Sequence, residues 1–288
     1  MVLGSSGDYG MEVFVGGRIW KEYAPRAGAP QCDAFVESSL FVAGVSYQME
    51  TTECDPYGEE FTQSWPVTPY QVRLINRTAT PVWFYLYVDG ERAYGAVCPA
   101  ASGGAPGTRL VQGMQRSAGD GVSEERALLF ARPRLVRRGE GEAVAAVSDS
   151  ASKREVPHRR DVRIRTGQGP ELESIRCDFH AAVAGQTTTV AAQRARAGAG
   201  AIYDGVNKAA CKKAKAGAMT RTGGVVKRSL GAASSTTLTT YTVNEVLDTV
   251  RIRYAQKDRL ETYGVWPDDD SDEEEAGDKK RAKLSKEG

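Results

Sequence analysis

Residues Pro81–Gly95 read PVWFYLYVDGERAYG, and this stretch decides the fold class. Val82 to Val88 is an unbroken run of seven apolar or aromatic residues. Aromatic and β-branched side chains suit a pleated, buried surface, and seven residues are too few to cross a bilayer. Asp89-Gly90 follows at once. This pair tolerates the positive φ angles of a two-residue hairpin turn, so the chain is expected to reverse into Glu91–Tyr94. Successive strand residues point to opposite faces, which puts Trp83, Tyr85 and Tyr87 on one side and Phe84, Leu86 and Val88 on the other. A run apolar on both faces belongs in the middle of a sheet. The aromatic row is therefore read as the core of a sandwich rather than as a stacking platform for bases or sugars.

Working outward, Tyr70-Gln71-Val72-Arg73-Leu74 alternates as a half-buried strand does. Met11–Val15, Gly16-Gly17 and Arg18–Tyr23 repeat the strand–turn–strand pattern, which suggests equivalent hairpins in two facing sheets. Asp33–Glu37, Leu40–Met49, Ala127–Val136, Ser174–Val183 and Leu238–Tyr254 also read as strands. In the last of these, Val250, Ile252 and Tyr254 alternate with Arg251 and Arg253, predicting one buried and one cationic face. Asp258–Tyr263 fits a helical turn with Asp258 as N-cap and Gly264 as its stop. Eight to ten short strands separated by turn signals predict a mostly β fold, an antiparallel β-sandwich.

The expected domain plan is a flexible leader over residues 1–10, one β-sandwich over 11–266, and an acidic-then-basic disordered tail over 267–288. Within the domain, residues 98–121 and 138–156 read as loops, and 184–235 as a long basic insertion. Residues 201–217 of that insertion have weak helical spacing.

Net charge over the 288 residues is +1, but it is unevenly spread. Residues 1–100 carry 6 Lys/Arg against 12 Asp/Glu, residues 151–230 carry 16 against 6, and residues 267–288 carry 5 against 9. Such blocks attract one another within the chain or bind different partners. The five cysteines are scattered, odd in number and free of any C-x-x-C, a pattern of free thiols in a reducing compartment. No membrane segment is read. The sequon Asn76-Arg77-Thr78 is expected to be inert.

The order EVFVGGRIWKEY, FYLYVDGERAYG, SIRCDFH, a Lys/Ala-rich basic insertion and TVRIRYAQKDRLETYGV is similar to that of the eukaryotic domain-of-unknown-function family DUF7918. The resemblance covers residues 11–266. It implies a single β-rich domain followed by a charged tail, and no established activity.

Candidate chemistry is sparse. His158 sits in a basic loop. His180 follows Cys177 by three residues, and an odd separation on a strand puts the two on opposite faces, which excludes a thiolate–imidazole couple. No His/Cys cluster has zinc spacing. Glu50, Glu53, Asp55, Glu59 and Glu60 are better read as flanking a turn than as a cation site. Gly103–Thr108 lacks the lysine of a phosphate loop. The chain is accordingly read as non-enzymatic, with no cofactor and no metal.

The charged segments carry the remaining signals. Lys208, Lys212, Lys213, Lys215, Arg221, Lys227 and Arg228 are candidates for salt-sensitive nucleic-acid binding through phosphates. Lys279, Lys280, Arg281 and Lys283 have the density of a nuclear import signal. Ser271, within Asp268–Glu275 (DDDSDEEE), resembles a target of an acidophilic kinase, whose phosphate adds about −1.5 to −2 charge. The preferred reading is a nuclear, rather than cytoplasmic, interaction or scaffold module with an unknown protein partner. The alternative is an electrostatic nucleic-acid, chromatin or histone binder, by analogy of layout with acidic-tailed β-sandwich histone chaperones. An enzyme of unrecognised type comes third.

Overall fold

The structure, a computed structural model, describes residues 1–54, 60–119, 122–132, 135–136, 164–165, 172–191, 205–207, 218–229 and 235–266. It is mostly β, with two main sheets, one of them a curled half-barrel. Nine strands form the larger sheet: β1 (Val2–Leu3), β2 (Tyr9–Val15), β3 (Arg18–Ile19), β6 (Tyr47–Cys54), β7 (Glu60–Asn76), β10 (Gly107–Val111), β11 (Gly113–Gly119), β12 (Val122–Ala131) and β17 (Met219–Ser229). Six strands form the second: β4 (Glu22–Tyr23), β5 (Ala34–Glu37), β8 (Val82–Val88), β9 (Glu91–Cys98), β15 (Ser174–Ala191) and β18 (Ser235–Ala255), in the order β4-β5-β18-β15-β8-β9. Three short parallel strands, β13 (Leu135–Val136), β14 (Ile164–Arg165) and β16 (Gly205–Asn207), pair separately. Helix α1 spans Lys257–Thr262.

The decisive stretch forms the predicted hairpin. Asp89 and Gly90 have φ of 51° and 78°, the left-handed pair that matches the twist of β8 and β9. Gly16 and Gly17, at 59° and 76°, turn β2 into β3 in the same way, so each main sheet holds one of the two matched hairpins. The returning strand expected over Arg18–Tyr23 divides, however. β3 pairs with β2, and β4 crosses to pair with β5 in the other sheet.

One core contains residues of both main sheets. Phe84, Leu86, Val88, Ile175, Phe179, Val250, Ile252 and Tyr254 come from the six-stranded sheet. Met11, Val13, Tyr70, Val72, Leu74, Leu128 and Phe130 come from the nine-stranded sheet. Tyr70 stacks on Phe130 at 4.1 Å between ring centroids, and Phe130 meets Tyr254 at 5.1 Å. Each such side chain stabilises the fold by roughly 1.5–3 kcal/mol through burial.

Strand β7 is long because it hands over partners. Pro66 and Pro69 cannot donate to a ladder. Around them pairing passes from β6 (residues 60–67) to β12 (68–70) and then to β2 and β10 (up to Asn76). Two acidic side chains buried in the fold then tie separate elements together. Asp89 accepts hydrogen bonds from the backbone N–H groups of Glu173 (2.7 Å), Ser174 (3.4 Å) and Thr220 (2.8 Å), and from the Tyr254 hydroxyl (2.6 Å). Because Tyr254 donates to this carboxylate, it accepts from Thr220 Oγ1 at 3.2 Å, and Tyr70 in turn donates to Thr220 at 2.8 Å. The protons of the chain Tyr70–Thr220–Tyr254 all point toward Asp89, an arrangement in which each bond polarises the next. Burial, with the Asp89 charge next for Tyr254, pushes both phenols well above their ordinary range. Glu173 accepts from the Ala218 N–H (3.2 Å) and pairs with Arg259 of α1, which also donates to Tyr263.

Several expectations are corrected. Residues 1–10 are not a flexible leader. Val2 is buried, β1 pairs with β2, and Tyr9 stacks on Phe179 at 4.9 Å. Ser5 and Ser6 each bond the Asp248 carboxylate through backbone N–H and hydroxyl, at 2.6–3.3 Å. The 98–121 loop contains β10 and β11. The 184–235 insertion is interrupted by strands: β15 runs on to Ala191, β17 joins the nine-stranded sheet, and β18 begins at Ser235. Residues 205–207 are extended, not helical, and the rest of 201–217 lies outside the described residues. The sheets are not purely antiparallel, because β5 runs parallel to β18. The α1 N-cap is Gln256, without a side-chain cap bond, rather than Asp258. Residues 43–45 form a turn ahead of β6. The 138–156 linker and the 267–288 tail lie outside the described residues.

The Asp248 clamp carries a pH prediction. Burial alone would raise its pKa, but bonds from Ser6, Thr249 and Ser5 outweigh burial and hold it below the ordinary value of 3.8. A carboxylate depressed on folding adds stability that is present above its unfolded pKa and lost as pH falls through the folded one. Asp248→Ala is therefore expected to lower Tm clearly at pH 6. The gap from the native chain should narrow as melts are taken down toward pH 3. An equal gap at both values would contradict the clamp.

Candidate interaction face

The aromatic row of β8 splits between the two faces as strand geometry requires. Val82, Phe84, Leu86 and Val88 are buried, while Trp83, Tyr85 and Tyr87 are only half-buried on the opposite, outer face. The expectation that both sets are core is corrected. β8 does lie inside the sheet, between β15 and β9, but only its inner residues enter the core.

Register builds the outer face from neighbouring strands. Tyr87 is paired with Arg176 on β15 and with Arg92 on β9, and Arg176 is paired with Arg251 on β18. This makes a row running Arg251–Arg176–Tyr87–Arg92 across four strands. The Arg176 guanidinium lies 4.3 Å from the Tyr87 ring centroid, and Arg92 lies 5.3 Å from that of Tyr85. Cations over electron-rich ring faces are held without losing their charge. Asp178, paired with Thr249 and Tyr85 in the adjoining row, bonds Arg176 at 3.3 Å and accepts from the Thr249 hydroxyl, so one carboxylate sits beside the arginine row.

The next rows are aromatic. Tyr85 meets His180 edge-on at 5.2 Å and Trp83 at 6.1 Å, and Trp83 meets Tyr241 at 6.0 Å. Gly95 lies opposite Tyr85, and a Cβ there would come within 2.9 Å of the Tyr85 ring, so its lack of a side chain lets that ring lie across β9. The Trp83 indole nitrogen is shielded from solvent and has no acceptor among the described residues. At the far end of the sheet α1 covers the outer face. Phe35, Tyr23, Ala255, Leu260 and Val265 form a small separate cluster there, and Trp266 packs on Tyr23 at 5.0 Å. Beyond β8, β15 and β18 continue as a two-stranded ribbon with Val183, Val246 and Leu247 exposed near its base.

The residues singled out from sequence fall elsewhere. Lys208, Lys212, Lys213 and Lys215 lie outside the described residues, as do Ser271, Lys279, Lys280, Arg281, Lys283 and His158. Arg221, Lys227 and Arg228 lie on β17, where register sets Lys227 opposite Glu125 and Arg228 opposite Glu124. Cys177 is buried in the core while His180 is on the outer face, bonded through Nδ1 to the Asn244 carbonyl at 3.1 Å. Cys32, Cys98 and Cys177 are free thiols. Burial raises all three, Cys32 to about 11 and Cys98 to about 12, which keeps them protonated and unreactive near neutral pH. The Asn76 side chain is consumed by bonds to the Thr80 and Pro99 carbonyls and to Thr78, leaving the folded sequon no free amide.

Among the described residues no group of three or more His, Cys, Asp or Glu could hold a metal ion, and no helix is long and apolar enough to cross a membrane. Comparison with family models, curated proteins and solved structures finds no match. The arginine and aromatic character of the outer face was missed in the sequence. Arg176 and Arg251 are far apart in the chain, and only the register of β15 with β18 brings them side by side.

Proposed function

We propose that this chain is a non-enzymatic protein-interaction or scaffold module, a β-sandwich that works in the nucleus and presents the outer face of its six-stranded sheet to a protein partner. One observation carries the reading: Trp83, Tyr85 and Tyr87 lie half-buried beside Arg92, Arg176 and Arg251 on one face of the sheet. Tryptophan, tyrosine and arginine dominate the residues that hold protein interfaces together, because they offer large contact area with a polar handle. The resemblance to the DUF7918 family belongs to this proposal and adds no activity to it. Nuclear location rests on Lys279, Lys280, Arg281 and Lys283 alone.

The test is affinity purification of the full chain from nuclear extract, with and without nuclease, beside a Tyr85→Ala/Tyr87→Ala/Arg176→Ala variant checked for native unfolding. Nuclease-resistant protein partners are expected with the native chain. Their recovery should fall at least about tenfold with the variant, the loss for removing roughly 1.4 kcal/mol or more of interface energy. Equal recovery by both chains would rule out the face. Imaged in cells, the full chain should concentrate in the nucleus and lose that on neutralisation of the basic cluster.

The second reading is electrostatic binding of nucleic acid or histones. The net +10 of residues 151–230 favours it. Its signature is a partner set abolished by nuclease and by moderate salt, and unaffected by the three face substitutions.

A further inference from the structure

The chain leaves the described fold on the same side as the arginine row. Trp266 packs on Tyr23, Lys257 lies 5.3 Å from the Trp266 ring centroid, and the Arg26 side chain approaches Gly264. Tyr23 is paired with Phe35 and Phe35 with Arg253, so this exit point shares the outer face with Arg253, and Arg251 stands two residues along the same strand. Residues 267–288 lie outside the described part, and the acidic run Asp268–Glu275 begins two residues after Trp266.

We propose that this acidic run docks on the outer face of the chain's own six-stranded sheet, across Arg253, Arg251, Arg176 and Arg92. Three observations converge on it. The first is complementarity: seven carboxylates in the run meet a face that carries Arg92, Arg176, Arg251 and Arg253, with Asp178 paired to Arg176 and Asp33 accepting from the Arg251 N–H. Guanidinium forks bind carboxylates in bidentate pairs. The second is reach. Strands lie about 4.8 Å apart, so β4 to β15 is roughly 14 Å and β4 to β9 roughly 24 Å. The nine residues from Trp266 to Glu275 span up to about 30 Å when extended. The third is position, because α1 and Trp266 pack on the same outer face that carries the row.

Docked there, the tail occupies the surface assigned above to a protein partner and must be displaced by it. A phosphate on Ser271 adds charge to the middle of the run and tightens the contact. The inference shares its face with the proposed function, but it is tested with no partner present. Its failure therefore leaves the interaction reading standing.

The test uses the full chain carrying Ser271→Cys as the spin-label site, with Cys32, Cys54 and Cys211 replaced by Ser. Paramagnetic broadening of backbone amides is read at low salt and at 1 M salt, where screening shortens to about 3 Å. At low salt the amides of Arg92, Arg176 and Arg251 should broaden. That broadening should fall at least twofold in 1 M salt and in a second chain carrying Arg176→Gln/Arg251→Gln. Neutralising Asp268–Asp270 and Asp272–Glu275 as Asn and Gln leaves the folded body untouched and should also remove it. Broadening confined to α1 and β4 and unchanged by salt would overturn the proposal. So would broadening centred on β17, which would place the tail on the basic block instead.

Discussion

Asp89→Ala is expected to lower the stability of the folded chain by about 3–5 kcal/mol, the scale for breaking a buried charged network. Three backbone donors and the Tyr254 hydroxyl lose their acceptor together, and they come from β15, β17, β18 and the segment before β15. Alanine at φ 51° keeps the Cβ strain that aspartate already bears and loses the short polar side chain that eases it. Asp89→Gly separates the two causes, because glycine accepts this φ without a penalty yet restores no acceptor. Urea unfolding of both variants measures the difference. A loss for Asp89→Gly of more than half that for Asp89→Ala is the expected result. Native stability of Asp89→Gly would mean the turn matters only for its backbone.

Phe84→Ala carries an effect of similar size for a different reason. Phe84 is fully buried in the core to which both sheets contribute and stacks at 6.0 Å on Tyr94. Removing the ring loses its transfer energy and leaves a cavity the sheets cannot close, about 3–5 kcal/mol in all. Folded domains have about 5–15 kcal/mol in total, so the unfolding midpoint should shift strongly.

The parts of the fold legible in the sequence are those with local causes. Asp89-Gly90 and Gly16-Gly17 announce their turns by the φ angles they tolerate. The alternation of Val250, Ile252 and Tyr254 with Arg251 and Arg253 announces a strand with one buried face. The illegible parts depend on distant partners. Prolines in Ser64–Pro69 suggest a break, yet β7 runs through them because β6, β12 and β2 take over pairing in turn. Residues 1–10 look like a loose leader because no local pattern holds them, and Asp248, more than 240 residues away, does. Thr220 and Glu173 carried no signal at all, since their roles exist only once β17 reaches Asp89 and Arg259 of α1 reaches Glu173.

The candidate site follows the same division. The row Trp83, Tyr85, Tyr87 was visible as a pattern, but its exposure was not, because a run apolar on both faces reads as core. Basic density drew attention to Lys208–Arg228, while the cations that share one face, Arg92, Arg176 and Arg251, are scattered over three strands. Fold and face thus share one strand, whose inner residues are buried in the core and whose outer residues are half-buried.

Setting Tyr87→Ala beside Phe84→Ala in a single urea titration tests this division most directly. Phe84→Ala should unfold at a much lower midpoint, and Tyr87→Ala should stay within about 1 kcal/mol of the native chain, as surface-face changes do. Comparable losses for both would place Tyr87 in the scaffold and leave β8 no outer face to offer.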